Sequence, residues 1–320
     1  MNDLEYYKSK KAREDAYQYL LTKHIDCTKL LNDVPKVLYK YSSLNKFTVH
    51  NITCERLTAS MPALFNDPYD SFFKTQIHTN IGNEYSKFLS DEKAKELNEQ
   101  IRANDLKRSI EYQSFSQKSS YVLSLSESGL NGLLWSHYAD SGRGICVEYD
   151  IENSDMKDFV YPVIYSKKVV DFSDLGDPYN YNERAPMVSL TCELCKGLEW
   201  SYENEWRAIL LVSMIDNGEN MLRIEWIAPK IKSITLGPSF IGYWVQKHEK
   251  MDTKSNDEIM GQFIPFCKWV KEHNVTLHVA SINREKFKYN NSEIINADAL
   301  ITLNESLLDK YYDFNLLEYY

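Results

Sequence analysis

Glu203, Glu205 and Arg207 occupy alternate positions in the stretch YENEWRAILLV. If residues 203–211 are extended, these three side chains share one face and Trp206, Ala208, Leu210 and Val212 take the other. Two carboxylates two residues apart at the mouth of a strand are suited to acid–base or electrostatic work. Arg207 can hold one ionised while the other bonds a hydroxyl group. The same spacing also describes an ion-paired strand end over a buried tryptophan, and both readings stand at this point.

A second cluster lies upstream. Trp135, His137 and Tyr138 fall within one helical turn of NGLLWSHYADSGRGICVEYD, with Ser124 and Ser126 on the strand-like YVLSLSES just before it. Such a turn either lines a pocket or packs its rings onto a sheet. Gly142 and Gly144 suit a helix end and a close backbone approach. In LYKYSS, Tyr39 and Tyr41 flank Lys40, giving an aromatic face and an ammonium that could meet a phosphate. FNDPYD offers Asn66, Asp67 and Asp70 around a proline turn, where Asp67 is expected to cap a helix. No histidine or calcium-loop spacing accompanies these carboxylates, so no metal site is expected. Cys192 and Cys195 form a single C-x-x-C without a second pair, and read as structural residues on a helix running to about Trp200.

The elements that must position these groups follow from periodicity. Residues 1–34 read as a helical arm ended by Pro35, residues 35–285 as the main domain, and 286–320 as a Leu- and Tyr-rich helical tail packed on it. Strands are predicted at VLYKYSS, YVLSLSES, ICVEYD, EWRAILLV, RIEWI, KIKSITL and VTLHVASIN. A short helix and a strand fill LNKFTVHNITCERLTAS. Residues 82–113 read as a solvated helix pair, the stretch from Ser166 to Pro186 as a long surface loop, and residues 256–273 as helical. Strands and helices mix without regular βαβ alternation, which predicts an α+β fold.

The charge balance is Lys plus Arg 37 against Asp plus Glu 46, a net −9, which disfavours broad nucleic-acid binding. The charged N-terminus and the lack of a long apolar run predict a cytoplasmic protein without a membrane span. Twenty-three tyrosines suit surfaces that bind rings and sugars, and suit equally a genome rich in tyrosine codons.

In order, LYKYSSL, FNDPYD, LSLSES, LLWSHYADSGRGICVEYD and W-x-Y-E-N-E-W-R resemble the bacterial domain-of-unknown-function family 2971, across roughly residues 36–280. That family name implies no activity, although some relatives resemble phage-defence components. A second likeness is to the ADP-ribosyltransferase fold, which implies a split, mostly antiparallel sheet and NAD as substrate, without a metal. By that likeness Lys40 stands where Arg or His is usual on the first strand, Ser124 to Tyr138 shape the nicotinamide pocket, and Glu205 at the start of its strand is the first candidate for the catalytic glutamate, with Glu203 and His137 as further catalytic candidates. The expected function is then NAD-using ADP-ribosyl transfer or NAD glycohydrolysis, with a nucleotide ligand, a macromolecular acceptor and a toxin role in phage defence. A non-catalytic ligand sensor or interaction module of a defence system is the alternative, and a nuclease the second alternative.

Overall fold

Alternating apolar and polar residues in ICVEYD fix which face of that strand turns inward, while EWRAILL is covered on both faces. The computed structural model describes residues 3–74, 90–175, 185–212, 221–241, 265–283, 285–286 and 288–295. Its strands are β1 Val37–Ser42, β2 Arg56–Ser60, β3 Phe73–Lys74, β4 Ser120–Ser126, β5 Ile145–Asp150, β6 Val160–Pro162 and β7 Ile164–Ser166. They continue as β8 Val170–Asp171, β9 Cys195–Gly197, β10 Glu205–Leu211, β11 Arg223–Ile227, β12 Ile231–Leu236, β13 Thr276–Ile282 and β14 Tyr289–Ile295. The helices are α1 Asp3–Lys8, α2 Lys10–Thr22, α3 Lys46–Thr53, α4 Asp91–Ser116, α5 Gly132–Tyr138 and α6 Ala185–Leu194, followed by α7 over residues 265–272.

Among the described residues ten strands form one sheet, with the path β11-β2-β4-β1-β5-β12-β13-β14 and with β10 and β6 branching from β4. All its pairings are antiparallel except β12 with β13. The branch point is β4. One of its edges pairs with β10 along the whole strand, from Glu205↔Ser126 to Leu211↔Ser120. Its other edge is divided: β1 meets it at Tyr39↔Ser126 and β2 at Ser60↔Val122. The fold is therefore α+β with a split, mostly antiparallel sheet, as the sequence predicts.

Two cores flank this sheet. On one face Leu38, Leu123, Leu125, Val147, Trp206 and Ile234 pack against Val49 and Ile52 of α3 and Phe266 and Val270 of α7. On the other, Val122, Tyr161, Ile209 and Leu211 pack against α6 and against the N-terminal helices. Tyr7, Ala12, Ala16 and Leu20 are at most 1 % exposed there. Tyr7 donates to the Pro186 carbonyl at 3.0 Å, Tyr161 donates to the Tyr7 carbonyl, and Arg13 Nη2 donates to Val160 O at 2.7 Å. The first 34 residues are thus one wall of a core.

Several expectations need correction. Tyr289–Ile295 is a strand on β13 and not the start of a helical tail, and 296–320 lie outside the described residues. The polar YNNSE hides this strand because β13 supplies its pairing. The helix expected to reach Trp200 stops at Leu194, where Cys195 starts β9 against β7. Of the stretch expected as a surface loop, Val170–Asp171 is a strand, and Val170 and Phe172 are buried in the second core; residues 176–184 lie outside the described residues. Of the expected helix pair, residues 91–113 lie in the helix Asp91–Ser116, and residues 82–89 lie outside the described residues, as do residues 256–264.

Candidate functional site

Strand alternation puts Glu205 and Arg207 of β10 on the face they share with Ser124 and Ser126 of β4, while Trp206 and Ala208 enter the opposite core. Glu203 ends the 3-10 turn Leu198–Glu203, and Asn204 follows in a left-handed conformation at φ 45° that turns the chain into the strand. From these positions a buried network of charges grows across four segments of the chain.

Arg207, with no exposure, lies at its inner end. Its Nη1 and Nη2 donate to Asp70 Oδ1 and Oδ2 at 2.7 Å each, and its Nε to Glu205 Oε1 at 2.9 Å. Nη2 reaches Glu205 Oε2 at 3.2 Å and Nη1 the Glu193 carbonyl at 2.6 Å. A planar guanidinium satisfies two carboxylates in this fork geometry where an ammonium could not. Lys196 lies in the middle, its Nζ donating to Glu203 Oε2 at 2.6 Å and to Glu205 Oε2 at 3.0 Å, and 3.8 Å from Asp70 Oδ2. At the outer end the Tyr138 hydroxyl donates to Glu203 Oε1 at 2.6 Å and is itself hydrogen-bonded by the exposed Asn66.

The two glutamates differ in what remains free. Glu205 accepts from Arg207 Nε, Arg207 Nη2, Lys196 Nζ and the Ser124 hydroxyl, which fills about four acceptor positions of a carboxylate. Burial pushes its carboxyl up, but Arg207 and Lys196 outweigh burial and hold it well below the ordinary carboxylate range. Glu203 has two side-chain partners. Burial raises its pKa, the neighbouring Glu205 charge adds to the rise, and Lys196 offsets only part of it. Tyr138 is raised by burial and by its bond to Glu203.

An aromatic surface flanks Glu203. The ring of the exposed His137 lies 6.2 Å from that of Tyr202 at a 35° tilt, and Tyr202 lies 6.1 Å from Trp200 at 37°. Lys196 Nζ lies 5.0 Å from the Trp200 ring centre. Tyr202 and Trp200 are half-buried.

Other residues singled out in the sequence have structural engagements. Trp135 is 1 % exposed and meets Tyr41 edge-on at 5.0 Å, so it packs α5 onto β1 and does not line an open wall. Tyr41 donates to Ser128 O and accepts from Asn131 N, while Tyr39 covers Gly129. These two tyrosines fasten the turn before α5. Lys40 does not present its ammonium on an open face. Its Nζ donates at 2.8 Å to the Ser124 carbonyl, in the gap where β1 and β2 divide the edge of β4. Burial lowers its pKa against the pull of Glu205 and Glu203. Ser126 Oγ donates to the Glu203 carbonyl at 2.6 Å and fixes the approach to β10. Asp67 accepts from Tyr69 N at 2.9 Å and closes a turn, where a helix cap was expected. Asp70 is paired with Arg207.

Lys196 and Glu193 escape sequence reasoning. Nothing in C-K-G marks a lysine that will stand between carboxylates seven and nine residues further along the chain. Glu193 carries a legible signal, an acid inside the apolar MVSLTCELC. It has no exposure and accepts from Ser71 Oγ at 2.7 Å and Ser120 Oγ at 2.8 Å. Burial raises its carboxyl to about 7 despite those hydroxyls and Arg207.

The site is thus a buried ion network at the branch of a split sheet, flanked by Tyr202, His137 and Trp200. Residues 134–208 match the family model described as protein of unknown function (DUF2971). The family read from the sequence is the one found, over a shorter span than the 36–280 of the motif string. The matched segment includes Tyr138, Lys196, Glu203, Glu205 and Arg207. Searches of curated proteins and of solved structures return no match.

Proposed function

We propose that the chain cleaves the nicotinamide–ribose bond of NAD, by ADP-ribosyl transfer or glycohydrolysis, with Glu203 as the working carboxylate. The observation that carries this reading is the asymmetry of the pair. Glu205 is saturated by Arg207, Lys196 and Ser124, whereas Glu203 keeps acceptor capacity beside an aromatic surface. Loss of nicotinamide builds positive charge on the ribose, which a desolvated carboxylate stabilises more strongly than water does. A carboxylate with a raised pKa is also suited to take a proton from an attacking hydroxyl. His137, Tyr202 and Trp200 offer rings against which a departing pyridine could rest. Lys196 and Arg207 fix Glu203 and Glu205 in place. As an effector in phage defence, such an enzyme would act by draining NAD or by modifying an acceptor.

A second reading has its own support. Glu203 and Glu205 are 4 % and 3 % exposed, as in an ion network that only specifies the core of a ligand-sensing module. Incubation with NAD labelled in the adenylate half separates the two. Labelled ADP-ribose marks hydrolysis and labelled macromolecule marks transfer. Unchanged NAD, alone and with cell extract as acceptor, removes the enzymatic reading.

A further inference from the structure

Away from the charge network, three residues form a nucleophile, a base and an orienting acid. Cys54, the residue that caps the C-terminal end of α3, is exposed, whereas the other five cysteines are buried. Its Sγ lies 3.6 Å from His50 Nδ1, one helical turn earlier. The other ring nitrogen, His50 Nε2, lies 3.3 Å from Glu225 Oε1 on β11, the strand at the edge of the sheet. Glu55, next in the chain, faces His273 instead.

The roles follow from the geometry. A thiol reacts as its thiolate, and a histidine within reach of sulfur on one side and a carboxylate on the other both accepts the proton and is stabilised as imidazolium. The end of α3 adds to this, because a helix C-terminus favours positive charge on a nearby ring. Glu225 comes from a strand 171 residues away in sequence, so the pairing is a product of the fold, where β11 lies beside β2 with Glu225 opposite Thr58.

We propose that Cys54, His50 and Glu225 form a reactive-thiol site that takes small disulfides and is modified as a mixed disulfide. The Cys54 proton passes to His50 Nδ1, and the thiolate attacks one sulfur of the disulfide. The new bond to Cys54 forms as the original S–S bond breaks, and the leaving thiolate recovers the proton from the imidazolium. No external oxidant is consumed, since the disulfide itself is reduced by the thiol.

The probe is 5,5′-dithiobis(2-nitrobenzoate) on the folded full chain, with release of the coloured thiolate followed in time. One thiol per chain reacts rapidly, Cys54→Ser removes that phase, and His50→Asn slows it about tenfold or more near neutral pH. Glu225→Gln gives a smaller loss. All three residues are at the surface, and an unchanged melt confirms that the variants fold. A fast phase that survives in Cys54→Ser or an unchanged rate in His50→Asn would each overturn the assignment.

Discussion

At the scale of single residues, the two glutamates on either side of Asn204 separate stability from chemistry. Glu205→Gln removes the carboxylate that Arg207 and Lys196 share, at a position that is 3 % exposed. Removing one member of a buried network costs on the order of 3–5 kcal/mol, so a large fall in Tm is expected for this variant. Glu203→Gln leaves Lys196 bonded to Glu205 and near Asp70 and leaves the Arg207 pairs intact, so its fall in Tm should be smaller than that of Glu205→Gln. Glu193 gives a separate, pH-dependent prediction. Its folded pKa is raised from 4.5 to about 7, so the native state keeps a proton that the unfolded chain loses first. Its contribution is full below about 4.5 and is lost as pH rises through about 7, up to roughly 3 kcal/mol. Denaturant titrations across that range should show stability falling with pH, and Glu193→Gln should flatten the slope. Glu205 acts in the opposite window. Its depressed pKa stabilises the fold at and above the ordinary carboxylate range and is lost only in stronger acid.

At the scale of elements, the glycines after α5 serve the backbone and not a ligand. A Cβ on Gly144 would lie 2.2 Å from Ser42 O, and one on Gly237 would lie 2.1 Å from Gly142 O. The loop from α5 thereby seats against the ends of β1 and β12, with Gly237 N donating to Gly144 O at 2.9 Å. Gly144→Ala must displace backbone and should cost several kcal/mol, about as much as a severe core change, measured as a drop in Tm without loss of the α5 rings. The elements were largely legible in the sequence because apolar alternation in VLYKYSS, YVLSLSES, ICVEYD and EWRAILLV is a local property. Tyr289–Ile295 was not legible, because its polar side chains carry no alternation and its pairing with β13 is a tertiary fact. The site was half legible. Glu205 and Arg207 follow from period two and Tyr138 from its cluster, whereas Glu203 lies on a 3-10 turn outside the alternation that was expected to include it. The burial of Trp135 and the tethering of Lys40 depend on where β1 leaves β4, which no local pattern encodes.

For the whole molecule, the two cores flanking one sheet make the N-terminal helices part of the fold. Tyr7, Leu20, Ile25 and Leu30 are nearly sealed, and large side chains of this kind contribute roughly 1.5–3 kcal/mol each when buried. A chain beginning at residue 35 should therefore lose its cooperative melt, and calorimetry of that truncation checks it. A cooperative transition near the parent Tm would instead make residues 1–34 a dispensable arm. Within the described residues no helix is long and apolar enough to cross a membrane. What the fold does assemble is one carboxylate, Glu203, with free acceptor capacity beside Tyr138, His137, Tyr202 and Trp200. The most direct measurement is nicotinamide release from NAD by the parent and by Glu203→Gln, with the Tm of both proteins recorded in the same buffer. The expected result is turnover by the parent, a loss on the order of a hundredfold or more in Glu203→Gln, and a Tm within a few degrees. Equal turnover by the two proteins would remove Glu203 from the chemistry, and no release by a folded parent would remove the chemistry itself.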